Sequence, residues 1–269
     1  MELFAQRISN ISVDAERFRR EMRDVLGCRV QYLIFFVPRS GSSWLTDLLA
    51  GTDLLGEPGE WFNPNFVTAI AQAINANRPG DYVKMLKRKK QSRAGVFGAE
   101  ITFMQYERLG QFDLLAALGP ATHFFYLRRR NLVRQAISLY KAVESDVFHD
   151  TGALTREHGK KIESVEYSKS GVERWMTHLL NHELGCEQLF VQRGVNPMRL
   201  YYEDLVRDPA GTAAIFLRAL LPERSSEVLK VQSAHRPIAT PRNAEFEDRF
   251  RAESARFLSG VEARRPPLR

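Results

Sequence analysis

The chain has 269 residues, 44% of them hydrophobic, with a formal net charge of +7 and a pI of about 9.5. That length and apolar content suit a single α/β domain with a sizeable core, and the positive balance favours an anionic partner: nucleic acid, a membrane surface or a phosphorylated small molecule. Two cysteines without metal-type spacing, Cys28 and Cys186, argue against a disulfide framework. The apolar run Leu33–Val37 is far short of the roughly 20 residues of a membrane span, and the alternating charges of residues 14–21 are not those of a cleavable signal peptide, so a cytoplasmic protein is expected.

In chain order, Asp14 to Leu26 reads as an amphipathic helix closed by Gly27, within a helical extension over residues 1–29 that precedes one domain over 30–269. VQYLIFFV (30–37) is a continuous apolar run, the pattern of a buried parallel strand. SSWLTDLLAGT is a helix ending at Gly51, and GEPGEWFNP (56–64) is a loop punctuated by Gly and Pro. Helices are expected over 65–77 and 81–90, a second strand over 95–102, a helix over 107–118, and a third strand over 121–127 followed by a turn and a helix. Residues 146–168 have few apolar anchors and read as a partly ordered surface segment. A long helix over 170–193, a fourth strand within 197–205, helices over 210–221 and 225–231, and a loop entering a last helix complete the chain. Strands alternating with helices predict a parallel sheet covered on both faces, with ligands at the carboxyl ends of the strands.

PRSGSSW (38–44) lies between the first strand and its helix. Small residues there let backbone N–H groups approach an anion, and the helix N-terminus adds its unpaired N–H groups and dipole. A serine-rich strand–helix turn without a ligand has the same local pattern. The stretch lacks the Gly-Lys-Ser/Thr of a nucleoside triphosphate loop, and no cysteine nucleophile precedes it. Arg39 at the loop entrance provides the fixed fork that suits a related anion. The third strand ends in Arg128-Arg129-Arg130 at the same sheet edge, and Ser138 follows about two helical turns later. Together the two strand ends suit a ligand with two separated phosphates.

These stretches resemble a known family. VPRSGSSWLTDLL is similar to the 5′-phosphosulfate loop of sulfotransferases that use 3′-phosphoadenosine 5′-phosphosulfate (PAPS), and RRRNLVRQAISLYKA to their 3′-phosphate motif. GEPGEWFNP and the tail RNAEFEDRFR narrow the resemblance to the bacterial trehalose 2-sulfotransferase family, over about residues 30 to 255. The resemblance implies a P-loop-like α/β sulfotransferase fold, PAPS as donor with PAP as product, no metal, a carbohydrate or glycolipid acceptor and, since relatives in this branch form dimers, a homodimer. It places Arg39, Ser40, Gly41, Ser42, Ser43 and Trp44 on the 5′ side of the nucleotide, with Arg39 also catalytic. Arg129 and Ser138 fall on the 3′-phosphate, with Arg130 the rival of Arg129, and Arg242 on the nucleotide phosphate. Glu60 matches the family's proposed base, with Glu57 binding sugar hydroxyls and Trp61 and Phe62 packing on a pyranose face. From the residues alone, Glu57 and Glu60 also read as solvated loop carboxylates and Trp61-Phe62 as a core anchor. Glu100 stands where this branch often has lysine. The six histidines, His123, His149, His158, His178, His182 and His235, are the rival bases; His123 begins a strand at its far end, and the others lie on helices or loops. A P-loop small-molecule kinase, a basic nucleic-acid-binding module and a non-catalytic PAP-binding regulator are the alternatives; the missing Gly-Lys-Ser/Thr and the spread of the arginines, without a nucleic-acid-binding signature, weigh against the first two.

Overall fold

In the computed structural model, strand β1 (Val30–Phe36) lies between two neighbours and is buried almost throughout. The structure describes the chain except residues 1–3, 24–26, 111–117, 122, 149–155, 228, 230, 232–240 and 269. β2 (Val96–Ile101), β3 (His123–Arg128) and β4 (Met198–Tyr201) complete a sheet of order β2-β1-β3-β4 in which every pairing is parallel. Side chains along a strand alternate between faces. Leu33, Phe35 and Val37 therefore enter one core layer, and Tyr32, Ile34 and Phe36 the other.

The helices are α1 (Phe4–Ser9), α2 (Ala15–Met22), α3 (Ser42–Ala50), α4 (Val67–Ala73), α5 (Pro79–Lys90), α6 (Phe103–Gly110) and α7 (Leu132–Ser145) in the first part of the chain. α8 (Arg156–Ser164), α9 (Lys169–Arg193), α10 (Tyr202–Arg207), α11 (Pro209–Leu220), α12 (Pro241–Glu253) and α13 (Ala255–Arg264) follow. α3 and α11 cover one face of the sheet through Leu45, Leu48, Leu49, Phe216 and Leu217. The other face carries α5, α7 and α9, and α1 adds Ile8 to the same core. The 25-residue α9 is about 37 Å long. It buries Val172, Met176, Leu179, Glu183, Cys186 and Phe190, a stripe at helical spacing.

Four segments differ from the sequence expectation. The helix expected over 107–118 starts at Phe103, because Thr102 and Gln105 cap it reciprocally: Gln105 N–H donates to Thr102 Oγ1 at 3.2 Å, and Thr102 N–H to Gln105 Oε1 at 2.9 Å. Its expected remainder, 111–117, lies outside the described residues, as does the end of the first expected helix at 24–26. The expected surface segment 146–168 contains α8, anchored by the buried Ile162. No helix forms over 225–227: Pro222–Arg224 make a 3-10 turn and the next three residues remain in turn or bend conformation, while 228 and 230 lie outside the described residues. The tail holds two helices rather than one, broken at Ser254.

The far end of the chain is tied to β3 by a buried ion cluster. Arg128 and Glu183 are both fully buried; Arg128 donates to Glu183 Oε2 at 2.7 Å and to the carbonyls of Pro266 and Pro267 at 2.9 Å. Arg265 donates to Glu183 Oε1 at 2.7 Å and to the carbonyls of Arg129 and Arg130 at 2.5 and 2.7 Å. The cluster thus fixes the turn in which Arg129 sits. Removing one partner of a buried pair strands the other charge. Glu183→Ala is therefore expected to lose about 3–5 kcal/mol of stability in a urea titration, and a loss below 1 kcal/mol would show that the cluster does not hold this turn.

Candidate active site

Because all four strands are parallel, their carboxyl ends share one edge, and β1, β3 and β4 each feed a polar segment there. β1 runs into Pro38-Arg39-Ser40-Gly41 and then α3. Arg39 has φ 64° and Gly41 φ 87°. For a non-glycine residue that conformation costs about 1–3 kcal/mol, and here it turns Arg39 back over the sheet edge. At Gly41 a Cβ would lie 2.5 Å from the ring of Tyr202, the first residue after β4. α3 has no side-chain cap on its first turn, so its leading N–H groups face the edge. Ser40 is fully buried and its Oγ has no partner.

Two arginines meet at this edge. Arg39 donates from Nε to Ser138 Oγ at 3.1 Å and from Nη1 to the carbonyl of Phe148. Burial, with the positive charge of Arg129 nearby, pulls the Arg39 guanidinium down to about 10. Arg129 lies over the Tyr202 ring at 4.5 Å, its Nε is buried without a partner, and burial lowers its pKa too. Its neighbours differ: Arg128 is committed to Glu183, and the exposed Arg130 pairs with Asp204 at 2.7 Å and covers Tyr201 at 4.2 Å. Of the three, only Arg129 forms no ion pair among the described residues. Arg242 binds the carbonyl of Glu163 and lies over Phe246 at 5.6 Å, beside Lys141, one turn of α7 beyond Ser138.

Two carboxyl groups lie by the N-terminus of α3. Glu60 accepts from Asn63 Nδ2 at 2.5 Å and from Gln105, and burial raises its pKa. Glu100, on β2, is 4% exposed; Ser42 hydrogen-bonds it, and its Oε2 has no partner. Burial, then the charge of Glu60, pushes Glu100 up to about 8. The 56–64 loop is fixed to β2: Gly59 accepts the Glu100 N–H at 2.9 Å, and Trp61 Nε1 donates to the Gly98 carbonyl at 3.1 Å. The half-buried Trp61 thus anchors the loop, with Lys90 over its ring at 5.1 Å. Glu57 is ion-paired to Lys90 at 2.5 Å. Phe62 corrects the expectation of a sugar platform: it is 3% exposed and packs in the core against Tyr82, because the turn closed by the Asn63 N–H on the Glu60 carbonyl at 3.1 Å leaves Phe62 on the core side. His123 begins β3, at the opposite edge of the sheet.

The sequence reading missed Tyr202, which touches Gly41, Trp44 and Arg129, and the Glu60 partners Asn63 and Gln105. The position of Tyr202 at a strand's carboxyl end was the signal available for it. Gly41→Ala is expected to cost about 1–3 kcal/mol from the left-handed φ alone, and more because the new Cβ meets the Tyr202 ring, read by chemical denaturation; unchanged stability would mean that the loop relaxes freely.

Among the described residues no helix is long and apolar enough to cross a membrane, and no group of three or more His, Cys, Asp or Glu is arranged for a metal ion. The family model for Stf0 sulphotransferase matches residues 31–253. A trehalose 2-sulfotransferase of Mycobacterium tuberculosis is 24% identical over 264 residues, covering 84% of this chain and 96% of that protein. One of Mycolicibacterium smegmatis is 23% identical over 270 residues, with the same shares. The solved sulfotransferase domain of the Synechococcus PCC 7002 olefin synthase covers 91% of this chain and 98% of that one, at 14% identity and a TM-score of 0.43. With a family match over most of its length, the chain belongs to the Stf0 sulphotransferase family and is a sulfotransferase.

Proposed function

We propose that the enzyme transfers a sulfuryl group from PAPS to a carbohydrate hydroxyl. The observation that carries the donor assignment is the pair Arg39 and Arg129: two guanidiniums with lowered pKa at a loop and helix N-terminus, beside the buried, unpartnered Ser40 Oγ. Orphaned buried polar atoms and unneutralised cations together ask for an anion. The names of the mycobacterial relatives, trehalose 2-sulfotransferases, support a sugar as acceptor.

In this reading the 5′-phosphosulfate lies along Arg39, Ser40, Gly41, Ser42, Ser43 and Trp44, and the 3′-phosphate on Arg129 and Ser138. Arg39 and Ser138, assigned to different phosphates, are hydrogen-bonded to each other at 3.1 Å, so donor binding exchanges that bond for phosphate oxygens. Attack by the acceptor oxygen forms one S–O bond as the S–O bond to the 5′-phosphate breaks, and the leaving phosphate keeps the electron pair. Arg39 and the α3 N–H groups stabilise the charge that grows there, a type of contribution typically worth about 10²–10³ in rate. Glu60 takes the acceptor proton; Asn63 and Gln105 hold its carboxylate. Its raised pKa brings it closer to working pH, where a base is most effective. Activity therefore rises as pH climbs through the Glu60 pKa, since only the ionised form accepts a proton.

Two experiments test this. In calorimetry, Arg129→Ala is expected to weaken PAP binding by at least tenfold while Arg130→Ala, whose charge is already spent on Asp204, changes it by less than threefold; the reverse order moves the 3′-phosphate to Arg130. Glu60→Gln keeps the shape but loses the base, so turnover should fall about 10²–10⁴-fold with PAP affinity kept. Near-normal turnover would remove Glu60 as the base.

A further inference from the structure

Glu100 is a buried acid at a place built for an anion. In the alternation of β2 it shares the face of Val96 and Gly98, towards α3. Ser42, the first residue of α3, hydrogen-bonds its carboxyl, and the other carboxyl oxygen is buried with no partner. The groups that act on its carboxyl are Glu60 from the 56–64 loop and Ser42 from α3, and the apolar Ile34 lies opposite it on β1. Among the described residues Glu60 is the charged group acting on it, and the two have the same sign. Two carboxylates so placed in a desolvated setting resist joint ionisation. The more deeply buried Glu100 is the one that keeps its proton.

We propose that Glu100 is a proton-linked specificity residue for the donor: as a neutral acid it leaves the α3 N-terminus open to the anionic phosphosulfate, and as a carboxylate it takes that place and excludes it. This rests on the reading of the 38–44 loop as the donor site. Both ligands of the helix end are anions, so binding of one opposes the charge of the other. Loss of the proton at about 8 in the free enzyme then makes donor binding take up a proton near and above that pH. Arg39, which titrates at about 10, keeps its charge over most of this range. No covalent step is added: the acceptor proton still goes to Glu60, and the Glu100 proton stays where it is through the transfer.

The test is calorimetry of PAP binding to the full chain at pH 7, 8 and 9, each in two buffers of different ionisation enthalpy. For the wild type, Kd is expected to rise about tenfold from pH 7 to 9, with roughly half a proton taken up per PAP bound at pH 8. Glu100→Gln, always neutral, should bind PAP at pH 9 as tightly as at pH 7 and take up no proton. A second readout needs no ligand. A carboxyl whose pKa is raised in the folded state, here from 4.5 to about 8, contributes stability below the lower value that is lost as pH rises through the upper. The Tm advantage of Glu100→Gln over wild type should therefore grow from pH 5 to pH 9. A pH-independent Kd with no proton uptake in the wild type overturns the proposal and leaves the donor site standing. So does a pH dependence removed by Glu60→Gln but kept by Glu100→Gln. No PAP binding at any pH defeats the donor reading itself. If Glu100→Gln does not fold, the proton uptake of the wild type decides.

Discussion

The arrangement at the carboxyl edge depends on buried charges of like sign brought close together by the strand ends. Arg39 and Arg129 are both pulled below the ordinary guanidinium range, by burial above all, with the charge of Arg129 adding to the shift of Arg39. A few residues away, Glu60 and Glu100 form the opposite pair and are both raised. Neither pair neutralises itself. The protein carries this cost in a strained Arg39, φ 64°, and in buried polar atoms without partners. Such strain persists only where the surrounding structure over-determines it. Here that surrounding is a parallel sheet whose four strand ends are fixed by packing on both faces.

Support for the site comes from far along the chain. Arg128, next to Arg129, is locked by Glu183 of α9 and by the carbonyls of Pro266 and Pro267, and Arg265 binds the carbonyls of Arg129 and Arg130. Three adjacent arginines thus divide the labour. The first is structural and interior, the second faces the edge unpaired, and the third is neutralised on the surface by Asp204. On the other side, Trp61 and Gly59 bind the 56–64 loop to β2, which sets Glu60 beside Glu100.

What was legible in the sequence is what is encoded locally. The apolar run of β1, the small residues after it and the Gly-Glu-Pro loop each carry their own signal within ten residues, and the strands stand where their composition places them. The start of α6 is also written locally, in the reciprocal bonds of Thr102 and Gln105. α8 was unreadable: Ile162 is its main anchor, so no apolar stripe announces it. Phe62 shows the limit of composition, since an aromatic beside an acid looks the same over a ligand and in a core; only tertiary packing against Tyr82 separates the two. The distinction between Arg129 and Arg130 lay beyond the sequence too, because it depends on Asp204, more than seventy residues away.

The most direct measurement on the central claim is a crystal structure of the enzyme with PAP. The account predicts the 5′-phosphate on the N–H groups of residues 40–44 with Arg39 turned off Ser138 towards it, and the 3′-phosphate held by Arg129 and Ser138. A nucleotide whose 3′-phosphate rests on Arg130, with Arg129 still unpaired over Tyr202, or one bound away from this strand edge, would contradict it.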